Sequence, residues 1–164
     1  TYRDSPVFVI GGVQEIAANQ FYSAALKTDG TVWTWGRNES GQLGRDTGSD
    51  FFSVTPQPVD LGGATAVAIA MGETHMLVVL SSGEVRSWGD NSFDQLGRGS
   101  DSVAGSWVPG VVLDDKGQPL ADIVTVSAGK RQSLALRADG TLVGWGIESG
   151  AVGAPWSATT NSSA

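Results

Sequence analysis

IAMGETHMLVVLSSGEVRSWG, at residues 69–89, decides the fold, because two similar stretches occur in the same chain. IAANQFYSAALKTDGTVWTWG begins at Ile16, and VSAGKRQSLALRADGTLVGWG begins at Val126. In every copy a turn glycine follows the first residue by 14 positions, and a Trp-Gly pair begins five positions later. The spacing inside the copies is constant while the segments between them differ in length, which indicates a structural repeat with loop insertions.

Each copy has the pattern of a β-hairpin. A turn dipeptide lies between two runs in which apolar residues alternate with small or polar ones, which is a strong hairpin signal. The dipeptides are Asp29-Gly30, Ser82-Gly83 and Asp139-Gly140. A glycine-rich turn closes each copy, and a proline-valine segment precedes it, where the missing N–H of proline suits an edge strand. Four short strands in about 50 residues are typical of a β-propeller blade.

The positions that all three copies share are expected to form the scaffold. They are Gly30, Trp35, Gly36, Gly83, Trp88, Gly89, Gly140, Trp145 and Gly146. Small residues on one face of each hairpin and the tryptophan on the other predict blades stacked face to face, with each tryptophan filling a gap against its neighbour. Gly72 and Gly129, with Asn19 in the first copy, are expected to adopt a positive φ in the turn after the first strand.

The sequence therefore predicts an all-β chain built from propeller blades of four antiparallel strands. Three repeats occupy residues 1–153, at about 6–44, 56–97 and 109–153, and residues 154–164 are interpreted as a flexible tail or linker. Three blades do not close a ring, because propellers have about four to eight. We therefore expect the repeats to be part of a larger, six- or seven-bladed propeller, as an excerpt of a longer chain or by assembly of copies.

Composition excludes several classes of protein. The 164 residues carry a net charge of −7, so a nucleic-acid partner is not expected. No apolar run approaches the roughly 20 residues that span a bilayer, so membrane insertion is not expected either. The absence of cysteine removes disulfides and thiolate chemistry. The acidic, cysteine-free composition, rich in serine, threonine and glycine, leans towards a bacterial and extracellular source.

GETHMLVVLSSGEVRSWGDNSFDQLG, at residues 72–97, resembles the repeat of the regulator of chromosome condensation family. The other two copies match it at the hairpin glycine, the Trp-Gly pair and the closing turn. The resemblance implies a β-propeller, usually of seven blades, in a family of guanine-nucleotide exchange factors, chromatin binders, enzyme inhibitors and general interaction modules. The chain departs from the exchange-factor members, which dock on chromatin through basic segments, because it is acidic and has no basic tail.

Residues suited to catalysis or metal binding are sparse. His75 is the only histidine, so a site with two imidazole ligands is impossible within one chain. The chain contains no G-x-S-x-G, H-E-x-x-H or G-x-x-x-x-G-K-[ST] motif. The aspartate pairs at 46/50, 90/94 and 114/115 fit turns better than calcium ligands, and the sequon at Asn38 is short enough to arise by chance. The sequence therefore predicts no catalytic residue, no metal and no cofactor.

The positions that differ between the copies are expected to form a binding surface. The turn after the first strand changes in size and charge, and the longer inserts carry aromatic residues that the repeat does not require. The partner-binding candidates are Phe21, Tyr22, His75, Arg131, Phe51, Phe52 and Trp107. Truncating the four candidates in or beside these turns is expected to weaken binding with little change in melting temperature. They are Phe21, Tyr22, His75 and Arg131. The alternative for the insert aromatics is that they cover blade edges.

These features favour a non-enzymatic propeller module that binds a protein partner or further blades. One alternative is an architectural subunit whose loops pack on neighbouring copies in an assembly. A second alternative is a fragment of a guanine-nucleotide exchange factor, which the length and the charge of the chain disfavour. Recovery of a small GTPase in a pull-down, followed by accelerated nucleotide release, is the observation that favours this second alternative.

Overall fold

The hairpin patterns of the sequence produce three antiparallel sheets. A computed structural model describes residues 4–48, 50–99 and 105–147, and these residues contain strands and turns but no helix. In chain order the strands are β1 Val13–Ala18, β2 Tyr22–Lys27, β3 Val32–Arg37, β4 Phe52–Pro58, β5 Ala66–Met71, β6 His75–Leu80, β7 Val85–Asp90, β8 Gly105–Val111, β9 Ile123–Ala128, β10 Gln132–Arg137 and β11 Leu142–Gly146. Strands β1–β4 form blade 1, β5–β8 form blade 2 and β9–β11 form blade 3.

The fourth strand of a blade comes from the proline-containing segment that precedes the next repeat. Pro58 in β4 lies opposite Trp33 in β3, and Val111 in β8 lies opposite Arg86 in β7. Both strands lie at the edge of their sheet, as expected for segments that contain proline. The repeat of the sequence and the sheet of the structure are therefore staggered by one strand. The third closing turn and the tail over 154–164 lie outside the described residues.

The Trp-Gly pair requires glycine for its backbone and for space. Gly36, Gly89 and Gly146 have φ angles of 113°, 105° and 100°, which L side chains rarely adopt. A Cβ on Gly89 would also lie 2.3 Å from the carbonyl oxygen of Thr74 in the neighbouring turn. These two constraints explain why a glycine follows the tryptophan in every copy.

A different constraint acts on the glycine after the first strand of a blade. The expected positive φ is wrong for Gly72, Gly129 and Asn19, because none of them lies in the left-handed region. A Cβ on Gly72 would lie 2.2 Å from Cε1 of His75, and a Cβ on Gly129 would lie 2.8 Å from Nε2 of Gln132. Glycine is needed here to leave room for the side chain three positions later.

The blades stack face to face, and a tryptophan fills each contact between them. Trp88 of blade 2 is fully buried, and its Nε1 donates to the carbonyl oxygen of Gln42 in the closing turn of blade 1, at 2.9 Å. Trp145 of blade 3 donates in the same way to Gln95 of blade 2, at 2.8 Å. Each contact also contains a cluster of buried apolar side chains. The predicted stacking is confirmed for both contacts.

A buried asparagine holds each described closing turn in place. Oδ1 of Asn38 accepts a hydrogen bond from the N–H of Leu43, and Oδ1 of Asn91 accepts one from Leu96, both at 2.9 Å. The amide nitrogen of Asn38 donates inward to the carbonyl oxygen of Arg45. Because Asn38 is fully buried, its sequon is not accessible to a glycosylating enzyme in the folded chain.

Candidate functional site

Three turns lie side by side on one face of the stacked blades. They span residues 19–21, 72–74 and 129–131. We call the surface that they form with residues 38–48 and 50–51 after β3 and residues 91–99 after β7 the loop face. Nδ2 of Asn19 donates to the carbonyl oxygens of Gly72 at 2.8 Å and Glu73 at 3.2 Å. The N–H of Glu73 donates to the carbonyl oxygen of Gly129 at 3.3 Å. These bonds fix the backbone on which the variable side chains of the loop face stand.

Charged and aromatic side chains connect the blades across the loop face. Nζ of Lys130 lies 3.2 Å from Oε2 of Glu73. The guanidinium carbon of Arg131 lies 4.0 Å from the centre of the Phe93 ring, a cation–π contact between blades 3 and 2. Arg131 was a sequence candidate, whereas Phe93 was not, because the two residues meet across 38 positions of chain without any local signal.

Three of the aromatic candidates come together on blade 1. They line a groove of about 560 Å³, which we call the blade 1 groove. Its residues are Gln20, Phe21, Arg37, Glu39, Asp50, Phe51 and Phe52. Phe52 lies opposite Arg37 in the sheet, and this register places the insert beside the turn that carries Phe21. The rings of Phe51 and Phe52 are largely accessible, since these residues are 55% and 56% exposed.

Two other candidates, Tyr22 and His75, lie between blades and are not part of the accessible surface. Tyr22 is 2% exposed, and its hydroxyl donates to the carbonyl oxygen of His75 at 2.6 Å, across the contact between blades 1 and 2. Burial raises the pKa of Tyr22 well above its ordinary value. His75 is 0% exposed. The expectation that these two side chains belong to an accessible binding surface is therefore wrong. Because both belong to the packing between blades, truncating them is now expected to lower the melting temperature.

Replacing Tyr22 by phenylalanine is expected to lower the free energy of unfolding by about 1 kcal/mol, because a buried hydrogen bond is lost while the ring remains. The matched control is Phe8→Leu, because Phe8 is 86% exposed, and its expected change is below about 0.5 kcal/mol. Urea denaturation of both variants measures the two changes. An unchanged midpoint for Tyr22→Phe would contradict the assigned contact.

The surroundings of His75 keep its ring neutral. Oγ of Ser133 donates to the carbonyl oxygen of Gln95 at 2.8 Å, so it accepts from the Nε2–H of His75, 3.0 Å away. Nδ1 is then the unprotonated nitrogen, and it has no hydrogen-bond partner in the part of the chain that the structure describes. Burial lowers the pKa of His75 from 6.5 to about 4, against the opposing influence of Asp90. This buried, neutral imidazole packs blades 2 and 3 together.

Trp107 is separate from the blade 1 groove. It lies in β8, the edge strand of blade 2, and is half-buried. Its backbone contacts the closing turn of blade 1, where a Cβ on Gly41 would lie 3.0 Å from Cα of Trp107. Its interpretation as a partner contact and its interpretation as an edge cover both stay predictions.

Asp90 of the loop face is engaged in turn structure. Oδ1 of Asp90 accepts hydrogen bonds from the N–H and the hydroxyl of Ser92, and its Oδ2 accepts one from Nε2 of Gln95. Within residues 4–48, 50–99 and 105–147, no group of three His, Cys, Asp or Glu side chains is arranged to hold a metal ion. The same ranges contain no helix long and apolar enough to cross a membrane.

Stacked antiparallel sheets with a tryptophan in each contact define a module of β-propeller blades. The family model of the regulator of chromosome condensation (RCC1) repeat matches residues 29–79 and 82–136. A second model with the same description matches residues 13–42 and 66–95. Since the matches cover more than half of the chain, the chain belongs to the RCC1 repeat family.

Three proteins illustrate what the chain is similar to. The E3 ubiquitin-protein ligase HERC2 of Homo sapiens is 36% identical over 137 residues, which are 82% of this chain and 3% of HERC2. The ultraviolet-B receptor UVR8 of Arabidopsis thaliana is 40% identical over 116 residues, 70% of this chain and 25% of UVR8. The crystal structure of Prp20p from Saccharomyces cerevisiae, a protein with binding properties to Gsp1p and histones, matches 88% of this chain and 36% of its own, with 26% identity and a TM-score of 0.69. The chain therefore spans only a minor part of each of these proteins.

Proposed function

We propose that this chain is a non-enzymatic part of a β-propeller that binds a protein partner through its loop face. The observation that carries the proposal is the blade 1 groove, in which two accessible phenylalanines stand beside charged side chains. Hydrogen bonds between the blades hold the neighbouring turn in place. Aromatic side chains on a preorganised surface supply much of the binding energy in protein interfaces. The binding of Gsp1p and histones by Prp20p supports a protein as the class of partner.

The outer faces of blades 1 and 3 favour a second function, the packing of further blades. Trp35 occupies the position of Trp88 in its repeat but is only half-buried, and Ile16 on the same face is 78% exposed. Leu142 of blade 3 is 61% exposed, whereas the equivalent Val85 of blade 2 is fully buried. Each outer face thus presents one half of the contact that blade 2 makes on both sides. Further blades of a longer chain fit these faces, and so does a neighbouring copy in an architectural assembly.

Three finer statements stay predictions. A nucleic-acid partner is not proposed, because a net charge of −7 opposes binding to a phosphate backbone. The exchange-factor alternative requires a small GTPase as the partner. The bacterial and extracellular source rests on composition alone, and the three similar proteins described above are eukaryotic.

Site-specific cross-linking in cells tests the protein-binding proposal. The photoreactive residue p-benzoylphenylalanine is placed at Phe51 and, as a control, at Val108, which is 62% exposed on the edge strand of blade 2. We expect a discrete protein adduct from position 51 and a much weaker one from position 108. The double variant Phe51→Ala, Phe52→Ala is expected to weaken binding of the captured protein by about tenfold or more. Equal yields at both positions, or unchanged affinity, would contradict a contact at the groove.

A further inference from the structure

The loop face already contains two contacts between a guanidinium group and a phenylalanine ring. Arg131 stacks on Phe93 at 4.0 Å, and Arg37 lies over Phe21 at 5.2 Å from the ring centre. Arg37 is also paired with the carboxylate of Glu39, so its charge is compensated within the groove. Planar guanidinium groups favour this arrangement, since they stack on a ring face and donate to a carboxylate at the same time.

The other two phenylalanines of the blade 1 groove have no such cation. Phe51 and Phe52 are more than half exposed, and among the described residues no lysine or arginine lies over either ring. Asp50 lies next to them in the groove, and within the described ranges its carboxylate makes no hydrogen bond or ion pair. This end of the groove therefore combines open aromatic faces with an uncompensated negative charge.

We infer that the blade 1 groove binds an arginine side chain of the protein partner, an inference that rests on the proposed function. The guanidinium group stacks on Phe51 or Phe52 and donates to the carboxylate of Asp50, repeating the arrangement of Arg37 with Phe21 and Glu39. Charge favours a cation here, because the groove contains two carboxylates and one guanidinium and the chain has a net charge of −7. Lysine fits less well, because its ammonium group is a compact, strongly hydrated point charge without a planar face.

Titration of the chain with short peptides tests this inference by NMR. The probes are acetyl-Gly-Arg-Gly-amide, its citrulline analogue, which is neutral with nearly the same shape, and its lysine analogue. A single solvent-exposed side chain implies a dissociation constant in the millimolar range. We expect the arginine peptide to shift the amide signals of residues 50–52 with saturation and to bind at least about fivefold more tightly than the citrulline peptide, with the lysine peptide between them.

Three variants locate the site. Asp50→Asn and the double variant Phe51→Leu, Phe52→Leu are each expected to lower the affinity for the arginine peptide at least about threefold. The matched control is Phe8→Leu, because Phe8 is 86% exposed and lies outside the groove. This substitution also removes an aromatic ring. Equal binding of the arginine and citrulline peptides would overturn the inference, and so would equal weakening by Phe8→Leu.

The two proposals fail in different ways. If position 51 captures a protein in cells but the arginine peptide has no advantage over citrulline, the loop face is the binding surface and the arginine inference is wrong. If the arginine peptide binds at residues 50–52 with the expected selectivity but no protein is captured there, the chemistry of the groove is supported and the protein-binding proposal is contradicted.

Discussion

Replacing Trp88 by alanine is expected to lower the free energy of unfolding by about 3–5 kcal/mol, because it empties a fully buried site between blades 1 and 2. The closing turn of blade 1 cannot collapse far into that space, since it is held in place by the side chain of Asn38. The substitution also removes the N–H that donates to the carbonyl oxygen of Gln42. Urea denaturation followed by circular dichroism measures the loss.

Trp107→Ala is the control for this prediction. Trp107 is half-buried in an edge strand, and its loss is expected to cost about 1 kcal/mol or less. Trp88→Phe keeps most of the buried volume and is expected to fall between the two alanine variants. Similar losses for Trp88→Ala and Trp107→Ala would contradict the division between a tryptophan of the scaffold and one at the edge.

The role of Trp88 was predictable from the sequence because the scaffold pattern occurs in three copies. Constant spacing from turn glycine to Trp-Gly pair predicts the same hairpin in each copy, and alternation of side chains places the tryptophan on the face opposite the small residues. This periodicity is sufficient to predict a contact between neighbouring repeats, because each repeat packs on the next. The fold, the stacking and the edge position of the proline segments were predictable for that reason.

The positions of Tyr22 and His75 were not predictable by the same reasoning. They occupy the same place in two repeats and differ in size and polarity, which in a surface turn suggests a free side chain. In the structure each of them crosses to the next blade, but to a different group. The hydroxyl of Tyr22 reaches a main-chain carbonyl, whereas the ring of His75 reaches the hydroxyl of Ser133. At each contact between blades, the side chain and its partner group fit each other, and the pair differs from one contact to the next. A residue that varies between copies can therefore still be completely buried.

The blade 1 groove was predictable in part. Phe51 and Phe52 stand out in the sequence as insert aromatics that the repeat does not require, and Phe21 stands out as a residue of a turn that differs between the copies. Arg37 and Glu39 did not stand out, because charged residues near a turn are common and only the register of β3 with β4 brings them beside the insert. The sequence of a long insert does not reveal its conformation or the residues that it contacts. The composition of this groove was therefore recognised only in the structure.

Lowering the pH from 7 to 4 is expected to destabilise the chain by about 3 kcal/mol through His75 alone. Burial lowers the pKa of His75 in the folded chain to about 4, while the exposed histidine of the unfolded chain keeps a value of 6.5. Well above pH 6.5 neither state is protonated at His75, so its contribution to stability is fully present. As the pH falls from 6.5 to about 4, only the unfolded state takes up the proton, and this contribution is lost progressively.

The matched variant for this prediction is His75→Gln, because Gln132 occupies the equivalent position in blade 3 and a glutamine amide does not titrate. The other charged groups of the chain are common to both proteins, so the difference between the two unfolding free energies isolates His75. We expect that difference to change by about 3 kcal/mol between pH 7 and pH 4, to the disadvantage of the histidine protein. A constant difference would mean that the folded chain accepts the proton as readily as the unfolded one. The contact of His75 with Ser133 would then have to open to water before the chain unfolds.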